Sequence, residues 1–288
     1  MAHPEELTDV DVGEVTLRVS VLGSGPPLLL LHGYPQTHRM WDAVAAQLAD
    51  AFTVVAPDLR GYGASTAPAD APDSSSYSKR VMAADAVALM AHLGHDRFDV
   101  AGHDRGGRVA YRLALDAPDC VRRLTVLDVV PTSEVWARAD GSFAQVYWHW
   151  GFLSQPRPVP ETLIAADPEF FFLDAQFGGL LRRVDAVAHY AEALHDPSVV
   201  HAVCEDYRAG AGIDRLLDEQ DRAAGRRITC PVQVLWGAQG ALPLWYDVPA
   251  VWRDWADEVT GQALACGHFL PEERPDETAT ALRAFHLH

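Results

Sequence analysis

The chain has 288 residues, of which 49% are hydrophobic and 22% charged, a composition typical of a globular protein with a sizeable core. Its formal net charge of −17 argues against nucleic acid or an anionic membrane surface as a partner. Local arginines would have to draw in any anionic substrate, since Lys79 is the single lysine.

The cysteines and the first residues indicate the compartment. The four cysteines are far apart and form no CxxC or CxxH pair, which argues against a zinc site or a disulfide framework. Residues 1–11 are acidic and polar, unlike a secretory signal, and no apolar run approaches the ~18 residues that span a membrane. We therefore expect a cytoplasmic protein that needs no metal or other cofactor.

Short apolar runs typical of buried strands recur along the chain, with helical patterns between them. Such alternation favours a mostly parallel sheet that is buried on both faces. Right-handed crossovers give this sheet the doubly wound form of an α/β protein. The runs are Val15–Val21, Pro27–Leu31, Phe52–Ala56, Phe98–Ala101, Leu124–Val129, Val232–Trp236 and Val259–Ala265.

The stretch Gly102–Arg108 (GHDRGGR) lies between a predicted strand and the helical pattern Arg108–Leu115. A nucleophile flanked two positions away by small residues, between a strand and a helix, is the signature of a nucleophile elbow. Here the side chain at the turn is the carboxylate of Asp104. An aspartate attacks a saturated carbon and becomes an ester that water can later cleave. We expect the neighbouring His103 to face the other way and to pack or hydrogen-bond.

A second turn, His32-Gly33-Tyr34-Pro35, follows the apolar run Pro27–Leu31. In folds with a nucleophile elbow, one oxyanion-hole amide comes from this turn and the other from the residue after the nucleophile. The sequence therefore predicts that the backbone N–H groups of Tyr34 and Arg105 stabilise an oxyanion.

Arg105 and Arg108 are three residues apart at the start of a helical pattern, so we expect them to share a face. Their charges would hold Asp104 ionised. Two fixed guanidinium groups also form a fork suited to a carboxylate, which indicates an anionic substrate. The alternative is an ion pair of Arg108 with Asp104 or Asp128 and no ligand.

His268 lies in Cys266–Pro271 after the last apolar run, where a catalytic histidine of such a fold is found. The acid that orients this histidine commonly ends the seventh or the sixth strand. The run Val232–Trp236, at the position of the seventh strand, ends in Trp236–Gly240, which contains no acid. The run Leu124–Val129, at the position of the sixth strand, contains Asp128 at its end, where an unpaired carboxylate would be costly. We assign Asp128 to His268, with Asp247 as the alternative.

The strand pattern stops after Pro131 and resumes after residue 222. We interpret residues 131–222 as a helical cap over the carboxyl edge of a sheet formed by residues 1–130 and 223–288. The alternative is that this stretch only extends the core. Its helical and aromatic patterns are Phe143–Phe152, Pro168–Phe177, Val184–Leu194 and Ser198–Ala209.

Tyr147-Trp148-His149-Trp150 is an aromatic cluster within the predicted cap. Indole and imidazole N–H groups are hydrogen-bond donors carried on apolar rings. In a dry pocket beside a nucleophilic aspartate, His149 and Trp150 would stabilise a departing halide, which needs preorganised donors. The alternative is that the cluster only packs in the core.

With these motifs the chain resembles fluoroacetate dehalogenase and related haloacetate dehalogenases, over nearly its whole length. The specific part is Asp104-Arg105 with Arg108, together with His149-Trp150. Epoxide hydrolases share the core motifs but typically have an aromatic residue after the nucleophile. The matching stretches are His32–His38, Asp58–Gly63, Gly102–Arg108, Tyr147–Trp150, Gln155-Pro156, Cys204–Ala209 and Gly267–Pro271.

The resemblance implies an α/β-hydrolase fold with an inserted cap, and a homodimer. The relatives carry a third halide donor, a tyrosine, five residues beyond the position of Tyr207, where this chain has Gly212. This difference implies weaker cleavage of carbon–fluorine bonds. The implied roles are nucleophile for Asp104, base for His268, orienting acid for Asp128, carboxylate ligands for Arg105 and Arg108, and halide pocket for His149 and Trp150.

We therefore predict a hydrolase that converts a small anionic 2-haloacid of the haloacetate type into the 2-hydroxy acid. One alternative is an epoxide hydrolase with the same nucleophile, in which cap tyrosines protonate the epoxide oxygen. Another is a non-catalytic receptor for small acids, against which the set of Asp104, His268 and Asp128 argues. The candidate epoxide acids are Tyr147, Tyr190 and Tyr207.

Overall fold

The computed structural model describes residues 6–287 and has an eight-stranded sheet at its centre. Residues 1–5 of the acidic segment noted above lie outside the described residues. The strands are β1 (Glu6–Asp11), β2 (Thr16–Gly23), β3 (Pro27–Leu31), β4 (Thr53–Pro57), β5 (Phe98–His103), β6 (Val121–Leu127), β7 (Val232–Gly237) and β8 (Val259–Leu264).

The strand order is β1-β2-β4-β3-β5-β6-β7-β8. β2 is antiparallel to both of its neighbours, whereas all other neighbouring strands run parallel. Every residue of β5 is buried, so the middle of the sheet is covered on both faces. The mostly parallel sheet predicted from the apolar runs is therefore confirmed.

The seven predicted strands are present with ends that differ by a few residues, but β1 was not predicted. In β1 only Val10 is buried, because the strand lies at the sheet edge. β1 is recognised as a strand by its backbone pairing with β2, which runs from Glu6 opposite Val21 to Asp11 opposite Thr16. A polar edge strand of this kind leaves no apolar run in the sequence.

Helices flank the sheet and fill the segment between β6 and β7. In chain order they are α1 (Asp42–Leu48), α2 (Lys79–His92), α3 (Asp104–Asp116), α4 (Thr132–Ala137), α5 (Gly141–Val146), α6 (Trp148–Leu153), α7 (Val159–Ile164), α8 (Val187–Leu194), α9 (Pro197–Ala211), α10 (Ile213–Ala223), α11 (Leu242–Trp245), α12 (Val248–Arg253), α13 (Leu270–Glu273) and α14 (Pro275–His286). Single turns of 3-10 or π helix occur at His38–Trp41, Ser75–Tyr77, Phe170–Ala175 and Leu180–Arg183.

All elements described between β6 and β7 are helical, from α4 to α10. This agrees with the helical content expected for residues 131–222. The helices of the segment pack on one another, with α9 in contact with α6, α7, α8 and α10. The division of the chain at residues 131 and 222 into a core and a cap stays a prediction, and "cap" below means residues 131–222.

No helix within residues 6–287 is long and apolar enough to cross a bilayer. In that same part of the chain, no group of three or more His, Cys, Asp or Glu side chains is arranged to hold a metal ion. The four cysteines are free thiols, and Cys204 and Cys266 are buried.

Candidate active site

Asp104 occupies a sharp turn, because β5 ends at His103 and α3 begins at the next residue. Its φ of +44° lies in the left-handed region of backbone conformation. Residues other than glycine rarely adopt this region, and those that do often lie at functional sites. Close packing enforces the turn. A Cβ added to Gly102 would overlap the carbonyl oxygen of Gly106, and a Cβ on Gly106 would overlap that of Leu31.

The carboxylate of Asp104 is held in its charged form. Its Oδ2 accepts a hydrogen bond from the backbone N–H of Tyr34 at 3.1 Å, as expected for an oxyanion-hole amide. Burial raises the pKa of Asp104, but the interactions with His268 and with the two neighbouring arginines outweigh burial and lower the pKa below its ordinary value. An ionised carboxylate is the form that attacks carbon.

His268 and Asp128 meet as the sequence predicts. His268 Nδ1 lies 2.6 Å from Asp128 Oδ2, and Asp128 Oδ1 accepts a bond from the N–H of Gly237 at 3.0 Å. Burial lowers the pKa of His268, but the hydrogen bond and charge of Asp128 outweigh it and raise the pKa. The alternative partner, Asp247, is exposed at the start of α12, where it accepts from the N–H of Ala250.

A cavity of about 300 Å³ opens at Asp104, between the carboxyl edge of the sheet and the cap. Side chains of the expected site and apolar side chains both line it. The first group is Tyr34, Asp104, Arg108, Asp128, His149, Trp150, Gln176, Tyr207 and His268, and the apolar side chains include Val135, Phe143, Val146, Phe177 and Leu242.

Arg108 lies on the cavity wall with hydrogen-bonding capacity to spare. Its Nη1 donates to the carbonyl of Val130 at 2.9 Å and to Thr132 Oγ1 at 3.1 Å, whereas its buried Nε has no partner within residues 6–287. The guanidinium carbon lies 4.7 Å from the centre of the Trp150 ring, within cation–π range. Arg108 is therefore fixed on the cavity wall by neutral partners.

Arg105 differs from the expectation of a paired fork. It is fully buried and does not line the cavity. Its Nε and Nη2 donate to the carboxylate of Asp206 at 3.1 and 2.5 Å, and its guanidinium lies over Tyr207, 4.3 Å from the ring centre. The expected shared face is lost because the buried carboxylate of Asp206 needs a cationic partner. Among residues 6–287, nothing accepts a hydrogen bond from Nη1 of Arg105.

Asp206 is a site residue that the sequence interpretation missed. From α9 it joins the cap to the core, since it also pairs with Lys79 at the start of α2 and accepts from the Tyr62 hydroxyl at 2.7 Å. Burial raises its pKa, but Arg105 and Lys79 outweigh burial and hold the pKa well below the ordinary value. The stretch that contains Asp206 was noted in the sequence, but nothing local links it to an arginine 101 positions earlier.

His149 and Trp150 both line the cavity, as predicted. Burial lowers the pKa of His149 to about 3, so its imidazole is neutral. A neutral imidazole has one N–H to donate, and the buried Nδ1 of His149 has no partner in the described residues. The ring of Tyr34 stacks on it at 5.9 Å and fixes its plane.

Of the other cap residues noted in the sequence, some line the cavity and others do not. Tyr147 and Tyr207 line the cavity, whereas the hydroxyl of Tyr190 donates to Glu272 at 2.8 Å and lies outside it. Gly212 ends α9 and does not line the cavity. A Cβ added there would lie 3.3 Å from the carbonyl oxygen of Arg208, a tight contact that a slight shift of this oxygen would relieve.

Comparisons with known proteins agree with this geometry. A family profile described as the alpha/beta hydrolase fold matches residues 26–275. The chain belongs to the α/β-hydrolase family. This α/β-hydrolase is 45% identical to the fluoroacetate dehalogenase of a Burkholderia species over 281 residues, which cover 96% of this chain and 92% of that protein. The fold class and the dehalogenase resemblance predicted from the sequence are confirmed.

Two further relatives of this α/β-hydrolase cover almost all of it. It is 36% identical to the soluble epoxide hydrolase of Corynebacterium sp. strain C12 over 275 residues, 91% of each protein. The crystal structure of ALR0039 from Nostoc sp. PCC 7120, described as a candidate α/β hydrolase, is 50% identical with a TM-score of 0.93 and covers 99% of this chain and 98% of that one. Hydrolase chemistry is therefore shared by the named relatives, whereas the bond that is cleaved differs among them.

Replacing Asp206 by alanine should destabilise the protein strongly. The change leaves the buried cations of Arg105 and Lys79 without this carboxylate. Removal of one partner from a buried ion pair costs about 3–5 kcal/mol. The free energy of unfolding from urea titration measures the loss.

The matched control is Asp174→Ala, because Asp174 pairs with Arg182 on the exposed surface of the cap. Exposed pairs contribute about 0–1 kcal/mol, so this variant should unfold almost like the parent protein. Equal losses in the two variants would contradict the structural role of Asp206.

Proposed function

We propose that this α/β-hydrolase is a hydrolytic dehalogenase of small 2-haloacids that works through an ester on Asp104. The observation that carries the proposal is the Arg108 guanidinium, which lies on the wall of the cavity that contains the ionised Asp104 and donates, within the described residues, to the neutral oxygens of Val130 and Thr132. A cation fixed at this place suits a substrate with a carboxylate next to the reacting carbon. The 45% identity to a fluoroacetate dehalogenase supports the same reading.

In the first step, the substrate carboxylate docks on Arg108, which lies on the cavity wall. An oxygen of Asp104 attacks the α-carbon from the side opposite the halogen. The new carbon–oxygen bond forms as the carbon–halogen bond breaks, and the halide leaves with the bonding electron pair. The N–H groups of His149 and Trp150 stabilise the charge that develops on the halide.

In the second step, His268 takes a proton from water while Asp128 holds its other nitrogen. The hydroxide attacks the ester carbonyl carbon of Asp104, and the amides of Tyr34 and Arg105 stabilise the oxyanion. The ester bond then breaks, the proton passes from His268 to the departing oxygen, and a 2-hydroxy acid leaves. This route divides one difficult displacement into two easier steps.

The size of the cavity supports acids larger than haloacetate as further substrates. Its volume of about 300 Å³ is comparable with sites for small organic ligands, whereas a haloacetate has only a few non-hydrogen atoms. Val135, Phe143 and Leu242 add apolar wall that a charged two-carbon acid does not use. An alkyl group on the α-carbon would bury apolar surface there.

Epoxide hydrolysis is the second candidate, because Tyr147 and Tyr207 both line the cavity where an epoxide oxygen would need an acid. The 36% identical epoxide hydrolase supports it too. Arg108 favours the haloacid, since a neutral epoxide gains nothing from a cation on the wall. Product assays with chloroacetate and with styrene oxide separate the two, and diol formation without halide release would reject dehalogenation.

His268→Ala should trap the covalent intermediate. Asp104 can still be alkylated in this variant, but no base activates the water that cleaves the ester. Mass spectrometry after incubation with chloroacetate should show a carboxymethyl group on the peptide that contains Asp104. An unmodified Asp104 together with parental turnover would reject the mechanism.

Arg108→Lys should lower kcat/KM for chloroacetate although the charge is kept. Lysine cannot reproduce the planar set of donors, and the loss should match a hydrogen bond to a charged group, about 1.5–3 kcal/mol. The exposed Arg182→Lys is the control and should leave kcat/KM unchanged. Turnover of chloroacetamide as fast as chloroacetate would contradict charge recognition.

Bromoacetate and chloroacetate should turn over clearly faster than fluoroacetate. Fluoride depends most on donors that strengthen as charge develops, and Gly212 replaces one such donor of the relatives. By analogy with a deleted oxyanion-hole donor, the missing group costs on the order of 2–4 kcal/mol. Ion-selective assays of halide release measure the order, and Gly212→Tyr should raise defluorination selectively. Equal rates for fluoride and chloride release would contradict the argument.

A further inference from the structure

A series of hydrogen-bonded side chains, buried at Gln36, His103 and Tyr190 and half-buried at Glu272, lies behind His268 and takes no part in the mechanism above. Gln36 Nε2 donates to Glu272 Oε2 at 2.5 Å, and Gln36 Oε1 lies 3.1 Å from His103 Nδ1. At the other side of the ring, His103 Nε2 lies 2.7 Å from the backbone oxygen of His268. Tyr190 completes the chain by donating its hydroxyl to Glu272 Oε1 at 2.8 Å.

With the Gln36 amide oxygen facing Nδ1, this series of hydrogen bonds requires two protons on His103. An amide oxygen faces Nδ1 and a backbone oxygen faces Nε2, so both ring nitrogens must donate. A neutral imidazole has only one N–H. Burial lowers the pKa of His103 to about 3, so the doubly protonated ring does not persist near neutral pH.

A half-turn of the Gln36 amide resolves the conflict, because its oxygen and nitrogen then exchange places. The amide N–H₂ donates to His103 Nδ1, and His103 keeps a single proton on Nε2 for the oxygen of His268. The amide oxygen now faces Glu272, whose carboxyl must carry a proton to donate to it. Burial raises the pKa of Glu272 to about 7, which makes the protonated form accessible near neutral pH.

We propose that Glu272 is a positioning residue that holds the backbone of His268 in place, through Gln36 and His103, only while its carboxyl is protonated. The proposal rests on the proposed function, since it concerns the base of the second step. Gln36 and His103 are buried, with 1% and 0% of their surface exposed, so water does not replace a missing partner between these two side chains.

Loss of the proton from Glu272 exchanges the donors and acceptors along this series of hydrogen bonds. The Gln36 amide then donates to the carboxylate and presents its oxygen to His103, whose single proton must move to Nδ1. Nε2 is left with a lone pair facing the oxygen of His268 at hydrogen-bond distance, which is repulsive. The contact is lost, and His268 loses its alignment with the ester on Asp104. The first step does not use His268 and should not change.

Burial is the main cause of the raised pKa of Glu272. Hydrogen bonds from Tyr190 and Gln36 lower this pKa, whereas repulsion from Glu273 and Asp185 raises it further. Asp42, at the start of α1, raises the pKa of Tyr190 by the repulsion of its negative charge. The elements packed against α13 also carry the following titratable groups: His38, Arg39, Asp276, Glu277, Arg283 and His286.

Glu272→Gln tests the proposal, because a glutamine amide donates to Gln36 at every pH as the protonated carboxyl does. Single-turnover experiments with bromoacetate give the rates of ester formation and ester hydrolysis separately. In the parent protein, ester hydrolysis should rise as His268 loses its proton and then fall about tenfold per pH unit above the Glu272 pKa. In Glu272→Gln the alkaline fall should disappear, while ester formation is the same in both proteins.

The control is Glu277→Gln, an exposed carboxyl of α14, which should keep the parental pH profile. Gln36→Leu interrupts the chain at another point, and its ester hydrolysis should be slow without an alkaline fall. An alkaline fall that persists in Glu272→Gln or in Gln36→Leu would overturn the proposal.

Infrared difference spectra provide a readout that does not depend on turnover. The parent protein should lose the band of a protonated buried carboxyl as the pH rises past 7, and Glu272→Gln should lack that band. A parent spectrum without such a band would also overturn the proposal. By contrast, a protein that releases no halide at any pH would reject the proposed function. A titrating band in that protein would still support the protonation of Glu272.

Discussion

The left-handed backbone of Asp104 is the constraint on which the rest of the site depends. It allows a fully buried strand to pass into α3 without an intervening residue, and the two close-packed glycines leave the chain no other path. Because β3, β5, β6 and β8 run parallel, their carboxyl ends meet at one edge of the sheet. Each of these ends supplies one component of the site: Tyr34, Asp104, Asp128 and His268.

The ionisable groups of the cavity differ in charge because their surroundings differ. Asp104 is anionic, since neighbouring positive groups outweigh its burial. His149 is also buried, and burial outweighs the opposing charge of Asp104, so the pKa of His149 falls to about 3. His268 touches a buried carboxylate, and its pKa rises. An ionised carboxylate, a neutral imidazole and an imidazole of raised pKa thus lie around one small cavity.

Local signals in the sequence were enough for seven of the eight strands, for the turn at Asp104 and for the pairing of Asp128 with His268. Asp128 could be found because a carboxylate directly after a buried strand needs a partner. The side-chain direction of Arg105 could not be foreseen, since Asp206 lies 101 positions away on a different helix. The link between Gln36 and Glu272 spans 236 positions and was equally hidden. Pairings of this kind depend on how the cap and the last helices pack, which no local pattern records.

The burial of Lys79 has a practical consequence for handling the protein. This lysine is the single one in the sequence, only 1% of its surface is exposed, and its amine lies between Asp206 and Asp214. Acylating labels, aldehyde fixatives and amine-coupled chips therefore find no lysine on the folded surface. Acylation of Lys79 would instead mark molecules in which α2 and α9 have separated, so the chain contains its own chemical reporter of opening.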